Sequence, residues 1–182
     1  MTIEPSLRDP MLKATPNLRA FAISLTSNVD RADDLVQETL MRAIANIQRF
    51  QPGTNMQAWL FTILRNLFHS EYRKRRREVE DADGKYAATL AVQPSQGAHL
   101  DFEDLQVALA RLPHDQREAL LLVGASGFSY EQAAEICGCA VGTIKSRVNR
   151  ARTRLAELMH LTDADEEFGP DHLTLSALQA VA

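Results

Sequence analysis

The sequence has only two cysteines, Cys137 and Cys139, and a single residue separates them. Because this spacing closes no useful loop, it argues against a fold held by disulfides. Long apolar runs are also lacking: the longest, residues 119–123, is far shorter than the roughly 18 residues of a membrane helix. The N-terminus has neither the basic start nor the apolar core of a secretory signal. We therefore expect a cytoplasmic, reduced protein that makes no contact with a membrane.

Signatures of catalysis are equally scarce. The sequence has no Gly-rich phosphate loop, and Gly124-Ala125-Ser126-Gly127 lacks the spacing of a nucleophile elbow. The five histidines are scattered without the spacing of metal ligands. We interpret the two cysteines as small turn and core residues, with a redox or zinc role as the less favoured alternative. We expect no enzyme activity, no metal and no cofactor.

The net charge of −4 hides two basic segments that are separated by acidic ones. Residues 59–77 contain six basic residues and one acid, and residues 141–160 contain five basic residues and one acid. Residues 78–104 hold seven acids against one lysine, and the tail after residue 161 holds five acids and no lysine or arginine. Two separate basic patches predict two contacts with a polyanion such as nucleic acid.

Apolar residues recur at helical intervals along most of the chain, and alternating strand patterns are missing. We predict an all-α fold in which a flexible acidic linker joins two small helical domains. The predicted division is a first domain at 10–78, a linker at 79–100, a second domain at 101–161 and an acidic tail at 162–182. In the first domain, Pro16 predicts a helix that begins beside Thr15, and Asp30 is the predicted cap of the next helix. Thr54 and Gln57 match a capping box for the third.

A second capping box, Ser129 with Gln132, predicts a short helix that ends at a turn at Gly138. A longer basic helix follows, so this segment has the layout of a helix-turn-helix motif. The outer side of the longer helix carries side chains that suit phosphates and base edges: Thr143, Lys145, Ser146, Arg147, Asn149 and Arg150. A solvated basic face is the alternative. DNA binding is favoured because the turn, the capping box and the basic helix occur together.

Two further patterns lie in the first domain. In residues 59–77, the aromatic residues Trp59, Phe61, Phe68 and Tyr72 interleave with Arg65, Asn66, His69 and Arg73. Exposed rings would stack on unpaired bases while cations hold the backbone, but some of these rings belong in a core. A merely solubilising helix end is the other interpretation of the basic run. The second pattern places Asp34, Gln37, Glu38 and Met41 on one helical face, which suits a basic partner helix; taken alone, a solvated face is the better interpretation.

These segments resemble two conserved regions of bacterial sigma factors. Residues 32–38, followed by Phe50, residues 58–60 and Arg65-Asn66, resemble region 2. Residues 112–113, 117–118, 130–134, 142–147 and 150–152 resemble region 4. The chain length and short connector resemble the extracytoplasmic-function (ECF) group, which keeps only these two domains. Residues 50–55 and 137–140 further resemble its general-stress-response subgroup, EcfG.

The resemblance implies a specificity factor for RNA polymerase. It implies that the polymerase core, through its β′ clamp helices, binds Asp34, Gln37, Glu38 and Met41, and that the second domain binds the β flap. Residues implied at the −10 promoter element are Asn55, Arg65, Asn66, His69 and Arg73. The six outer residues of the longer helix are implied to contact −35 DNA. The acidic linker would follow a polymerase channel built for RNA phosphates.

The subgroup also implies control by a small anti-sigma protein that wedges between the two domains, and release by a phosphorylated decoy. Apart from these complexes we expect a monomer. The −35 element of the subgroup, GGAAC, suits Arg and Lys that donate to guanine. Within the −35 set we expect Arg147 to read a base and Arg150 to hold phosphate. Two alternatives stay open: a sigma-like decoy that binds an anti-sigma protein without binding DNA, and a dimeric helix-turn-helix repressor.

Overall fold

The computed structural model describes residues 4–81 and 100–159, which fall into two compact units. Most of the predicted linker and the predicted acidic tail lie outside the described residues. Within them every regular element is helical, which confirms the all-α prediction. The first unit contains α1 (Pro5–Thr26), α2 (Val29–Ala45), a 3-10 turn (Ile47–Arg49) and α3 (Met56–Asp81). The second contains α4 (Leu100–Ala110), α5 (His114–Leu120), a π-helical turn (Leu121–Ala125), α6 (Tyr130–Cys137) and α7 (Val141–Leu158).

The start of α1 corrects the prediction from sequence. The helix begins at Pro5 rather than beside Pro16, and it continues through that proline. Pro16 is exposed, so the backbone hydrogen bond that it cannot make is lost on the solvent side, where the cost is low. Met11 and Ala14 are buried and extend the apolar stripe toward the N-terminus. Packing of this stripe therefore overrides a local helix breaker.

The predicted cap of α2 is also wrong. The cap is Asn28, whose side chain accepts a hydrogen bond of 2.8 Å from the backbone N–H of Arg31. Asp30, the predicted cap, lies inside the first turn, where its negative charge complements the helix dipole. Asn and Asp are both favoured as helix caps, so the sequence alone does not decide whether Asn28 or Asp30 caps α2.

The cap of α3 also differs from the predicted one. Asn55 accepts a hydrogen bond of 3.2 Å from the backbone N–H of Ala58 and takes the place predicted for Thr54. The hydroxyl of Thr54 instead donates to the carbonyl of Gln51 at 2.7 Å, which closes the turn before the helix. Gly53 occupies that turn with a φ of 88°, a conformation that glycine adopts without strain.

The core of the first unit lies where α1, α2 and α3 pack together. Leu18, Leu60 and Leu64 are completely buried, and the rings of Phe21 and Phe61 lie 5.0 Å apart between their centroids. Burial of each such side chain stabilises the fold by about 1.5–3 kcal/mol. The described helices of this unit run from residue 5 to residue 81. Because α1 and α2 pack against one side of α3, the opposite side of α3 is left exposed to solvent.

The second unit contains the predicted helix-turn-helix motif as α6, a turn and α7. Both hydrogen bonds of the capping box are present: Gln132 N–H to the Ser129 hydroxyl at 3.2 Å and Ser129 N–H to the Gln132 side chain at 3.0 Å. Gly138 ends α6 in the left-handed conformation, with a φ of 63°. The spacing of apolar residues predicts a buried stripe over Ile144, Val148, Ala151, Leu155 and Leu158 of α7; the first four are buried, and Leu158 is half-buried.

Sequence reasoning missed a buried charged pair of neighbours on α5, Arg117 and Glu118. They are only 4% and 2% exposed. Burial lowers the pKa of Arg117, because the low-dielectric interior disfavours the charged guanidinium. An Nη atom of Arg117 lies 3.4 Å from the Nε2 atom of His114. Polar residues of this kind are hard to place from a hydrophobic pattern, because the pattern assigns them to the surface.

Candidate functional site

The α2 face, defined as Asp34, Gln37, Glu38 and Met41, lies at the surface of the first unit. Asp34 and Gln37 are exposed, and Met41 is 65% exposed, which is unusual for a large apolar side chain. Glu38 accepts a hydrogen bond of 2.7 Å from Arg42 one turn later. Ile44 is 36% exposed and extends the apolar end of the face. The face thus combines an apolar patch with polar and acidic residues around it, and an apolar centre with a polar rim is typical of protein–protein interfaces.

A polar cleft of about 270 Å³ borders the α2 face between α2 and α3. It is lined by Arg31, Asp34, Glu71, Lys74 and Arg75. Burial lowers the pKa of Arg31, and the positive charge of Arg75 adds to this effect. The cleft joins the exposed basic end of α3 to an acidic residue of the α2 face. Sequence reasoning missed this cleft because its residues are far apart along the chain.

The α3 face, defined as Arg65, Asn66, His69 and Arg73, follows one side of the long third helix. Asn66 and Arg73 are exposed, whereas Arg65 and His69 are half-buried. The Nε atom of Arg73 donates to the carbonyl of His69 at 3.3 Å. The structure therefore brings these four predicted residues together on one side of a single helix.

The aromatic residues near the α3 face divide into two groups. Phe61 and Phe68 are 0% and 4% exposed, so both belong to the core and cannot stack on a base. The Trp59 ring is half-buried and lies 5.3 Å from the Phe50 ring. Tyr72 is 48% exposed. Only part of the interleaved aromatic pattern is therefore available at the surface.

Asn55, the fifth residue predicted at the −10 element, lies beside a groove of about 670 Å³. Phe50 lines this groove from the segment before α3, Met56 lines it from the start of α3, and Leu7 and Lys13 line it from α1. Asn55 itself is exposed, although its side chain also caps α3. The N-terminal turns of α1 thus form a wall that the sequence prediction omitted, since it began this helix too late.

Five of the six predicted −35 residues occupy the outer side of α7. Lys145, Asn149 and Arg150 are exposed, and Thr143 and Ser146 are half-buried. The Ser146 hydroxyl donates to the Thr143 carbonyl at 2.9 Å. We call the exposed and half-buried set of Thr143, Lys145, Ser146, Asn149 and Arg150 the α7 face. Its cations and amide are suited to phosphate oxygens and base edges.

Lys145 of α7 contacts the first residue of α6, Tyr130. The Nζ atom of Lys145 lies 5.8 Å from the centroid of the Tyr130 ring, within the range of a cation–π contact. The pKa of Glu131 is lowered by a hydrogen bond from its own backbone N–H, then by the Ser129 side chain and the charge of Lys145. The positive charge of Lys145 on α7 therefore interacts favourably with Tyr130 and Glu131 at the start of α6.

Arg147 differs from its neighbours on α7. Its side chain is only 24% exposed, and its Nε atom lies 3.1 Å from a carboxylate oxygen of Asp115 on α5. One of its Nη atoms lies 3.8 Å from the sulfur of Cys139, in the turn between α6 and α7. The structure thus gives Arg147 partners inside the second unit. Its predicted contact with a base stays a prediction.

In residues 4–81 and 100–159, no helix is long and apolar enough to cross a membrane. The same residues contain no group of three His, Cys, Asp or Glu side chains arranged to hold a metal ion. Cys137 is buried and Cys139 is half-buried, and both are free thiols.

Comparison with protein families gives two matches in order along the chain. Residues 12–78 match Sigma-70 region 2, and residues 102–155 match Sigma-70, region 4. The α2 face and the α3 face lie within the first match and the α7 face within the second. The order and extent of both matches agree with the resemblance found in the sequence.

The chain is similar to the ECF RNA polymerase sigma factor EcfG of Rhodopseudomonas palustris, with 71% identity over 171 residues that cover 94% of each protein. It is 40% identical over 169 residues to the ECF RNA polymerase sigma factor SigC of Mycobacterium tuberculosis, with coverage of 91% of this chain and 85% of that protein. A similar solved structure is the sigma factor RpoE of Bartonella quintana, co-crystallised with the anti-sigma factor NepR. It has a TM-score of 0.77 and 58% identity, and the match covers 85% of this chain and 96% of that chain.

Proposed function

Because the chain belongs to the ECF sigma factors, which direct RNA polymerase to promoters, we propose that its α2, α3 and α7 faces divide this work between them. The observation that carries the proposal is the ordered pair of sigma regions, each with an exposed basic surface. Sigma factors are regulators of transcription. We propose that this one has no catalytic residue and needs no cofactor.

The α2 face is proposed to bind the β′ clamp helices of the polymerase core. Its carboxylates suit a basic partner, and its exposed Met41 and Ile44 offer apolar area that binding would remove from water. The second unit is proposed to bind the β flap. Neither surface requires the chain to form a dimer, so we propose a monomer outside its complexes.

The α3 face and Asn55 are proposed to handle the −10 element after its strands separate. Arg73 and the exposed basic end of α3 supply charge for the backbone of the strand, and Tyr72 supplies an exposed ring. Stacking of a base on such a ring is worth about 1–3 kcal/mol. The groove beside Asn55 is lined by both apolar and polar groups, which suits a base that has left the stack.

The second unit is proposed to read the −35 element as duplex DNA. The capping box and the turn at Gly138 set α6 and α7 in the layout of a helix-turn-helix motif, whose second helix enters the major groove. Thr143, Lys145, Ser146, Asn149 and Arg150 then face the DNA. Arg147 lies at the edge of this surface.

We further propose that the protein acts in the cytoplasm in a general stress response and is held inactive by a small anti-sigma protein. The support is the similarity to EcfG and to RpoE, since RpoE is co-crystallised with NepR. The proposed domains are 10–78 and 101–161, with a linker at 79–100 and a tail at 162–182. The acidic linker is proposed to follow the nucleic-acid channel of the polymerase.

Transcription with purified core polymerase tests the proposal. We expect the wild-type chain to produce RNA from one defined start site on a promoter that carries GGAAC at −35. Asp34→Arg and Gln37→Arg should abolish co-purification with the core, because each puts a positive charge on an exposed face meant for a basic partner. Glu157→Arg, on α7 of the second unit, controls for the added charge.

Normal core binding by both α2 variants would remove the α2 face from the interface. If the wild-type chain bound an anti-sigma protein but never produced promoter-dependent RNA, the decoy interpretation would replace this proposal.

A further inference from the structure

Arg147 lies on the side of α7 that faces its own domain. It precedes the buried Ala151 by four residues, and side chains four apart share one helical face. In a helix with 3.6 residues per turn, Arg147 is about 60° from the buried Ile144, whereas Arg150 is about 120° away. The two arginines that the sequence treats as equivalent therefore have different surroundings.

The contacts of Arg147 connect three parts of the second unit. Its Nε atom reaches Asp115 on α5 at 3.1 Å, and an Nη atom reaches the Cys139 sulfur at 3.8 Å in the turn before α7. The Arg147 side chain is 24% exposed, and that of Asp115 is 50% exposed. By contrast, Lys145 and Arg150 are exposed on the outer side of the helix.

We propose that Arg147 is a positioning residue that sets the orientation of α7 through Asp115, and that Lys145, Asn149 and Arg150 make the contacts with −35 DNA. This assignment rests on the proposed function of the α7 face. It reverses the division expected from sequence, in which Arg147 reads a base and Arg150 holds phosphate.

The chemistry of the pair favours a geometric role. The Arg147 guanidinium forms an ion pair with Asp115 and a second contact with the Cys139 sulfur, so two contacts with different parts of the unit restrict its position. A partly exposed pair adds little to the stability of the fold, since solvent screens it. Its consequence lies in the placement of the outer donors, because hydrogen bonds to base edges weaken steeply when their angles change. The pair also cancels the charge of Asp115, a carboxylate that would otherwise repel DNA phosphates.

An exchange of the two charges tests this proposal in the holoenzyme. The variants are Arg147→Asp, Asp115→Arg and the double exchange, each measured by the ratio of affinities for matched and mismatched −35 DNA. The ratio is used because Asp115→Arg also raises affinity for any DNA. Each single variant should lower the ratio about tenfold, and the double exchange should restore it to within about threefold of wild type, because the interaction is recovered in reverse. The matched control exchanges Arg154 and Glu157, an ion pair of 2.7 Å within α7, and should leave the ratio unchanged.

Direct base reading by Arg147 predicts the opposite result for the double variant. An aspartate at this position cannot donate to guanine, so the ratio would stay as low as in Arg147→Asp while the melting temperature stays normal; this outcome overturns the proposal. Wild-type ratios in all three variants would overturn it equally. Arg150→Ala and Lys145→Ala form a separate arm. If neither changes the affinity or its salt dependence, α7 does not enter the groove, and the proposed −35 function fails together with the inference.

Discussion

The two units present basic surfaces that are built in different ways. In the second unit, Lys145 and Arg150 lie along a helix whose start is fixed by a turn and whose inner side is filled by its own apolar stripe. In the first unit, the basic residues are concentrated toward the end of α3, where Arg73, Lys74 and Arg75 are exposed. A helix fixed along its length suits the regular groove of duplex DNA. A charged helix end with one exposed ring suits a strand without fixed shape.

The largest expected effect separates the two groups of aromatic residues in the first unit. Phe61→Ala should destabilise this unit by about 3–5 kcal/mol, since the ring is completely buried against Phe21. Tyr72→Ala should lower the melting temperature far less than Phe61→Ala, since the ring is 48% exposed, and should weaken open complexes by about 1–3 kcal/mol. Thermal unfolding and open-complex lifetime measure the two effects. An equal loss of stability in both variants would show that Tyr72 is also part of the core.

A smaller change in the free energy of unfolding is expected when the predicted capping box of each unit is disrupted. Ser129→Ala should lower the free energy of unfolding of the second unit by about 1 kcal/mol, because it removes the acceptor for the Gln132 N–H. Thr54→Ala should cost less, because Asn55 and not Thr54 caps α3. Denaturant titration of both variants measures the difference. A larger loss for Thr54→Ala would contradict the assignment of Asn55 as the cap.

The difference between the units also explains which structural features could be predicted from the sequence. In the second unit, Ser129, Gly138 and the stripe of α7 act over a few neighbouring residues, so their structure was predicted correctly. In the first unit, the continuation of α1 through Pro16 depends on packing against other helices, which no local rule contains. The same limit applies to Arg147, whose partner Asp115 is on another helix. The order of the two sigma regions was accessible because each motif is local.

The smallest expected effect concerns an ion pair between α1 and α2. The hydrogen bond from Arg19, at 2.6 Å, lowers the pKa of Asp33 below its ordinary value. A carboxylate whose pKa is lower in the folded than in the unfolded state stabilises the fold at pH values above its unfolded-state pKa. This contribution is lost as the pH falls from the unfolded-state pKa through the folded-state pKa. Asp33→Asn should therefore be slightly less stable than wild type at pH 7, and the difference should shrink below about pH 4.

Asp9→Asn is the control for this pH dependence, since Asp9 pairs with its neighbour Arg8 within α1 and joins no second helix. A stability difference for Asp33→Asn that stays constant from neutral to acid pH would show that the ion pair is not its cause.

The central claim is that the first unit handles the opened −10 strand while the second reads −35 duplex. It is tested most directly by comparing Asn66→Ala and Arg150→Ala in one footprinting experiment on the same holoenzyme and promoter. Permanganate reports unpaired thymines at −10, and protection from nuclease reports occupancy at −35. We predict that Asn66→Ala lowers thymine reactivity while −35 protection is kept, and that Arg150→Ala lowers −35 protection while reactivity per bound complex is kept. Loss of both signals in equal proportion in both variants would contradict the claim.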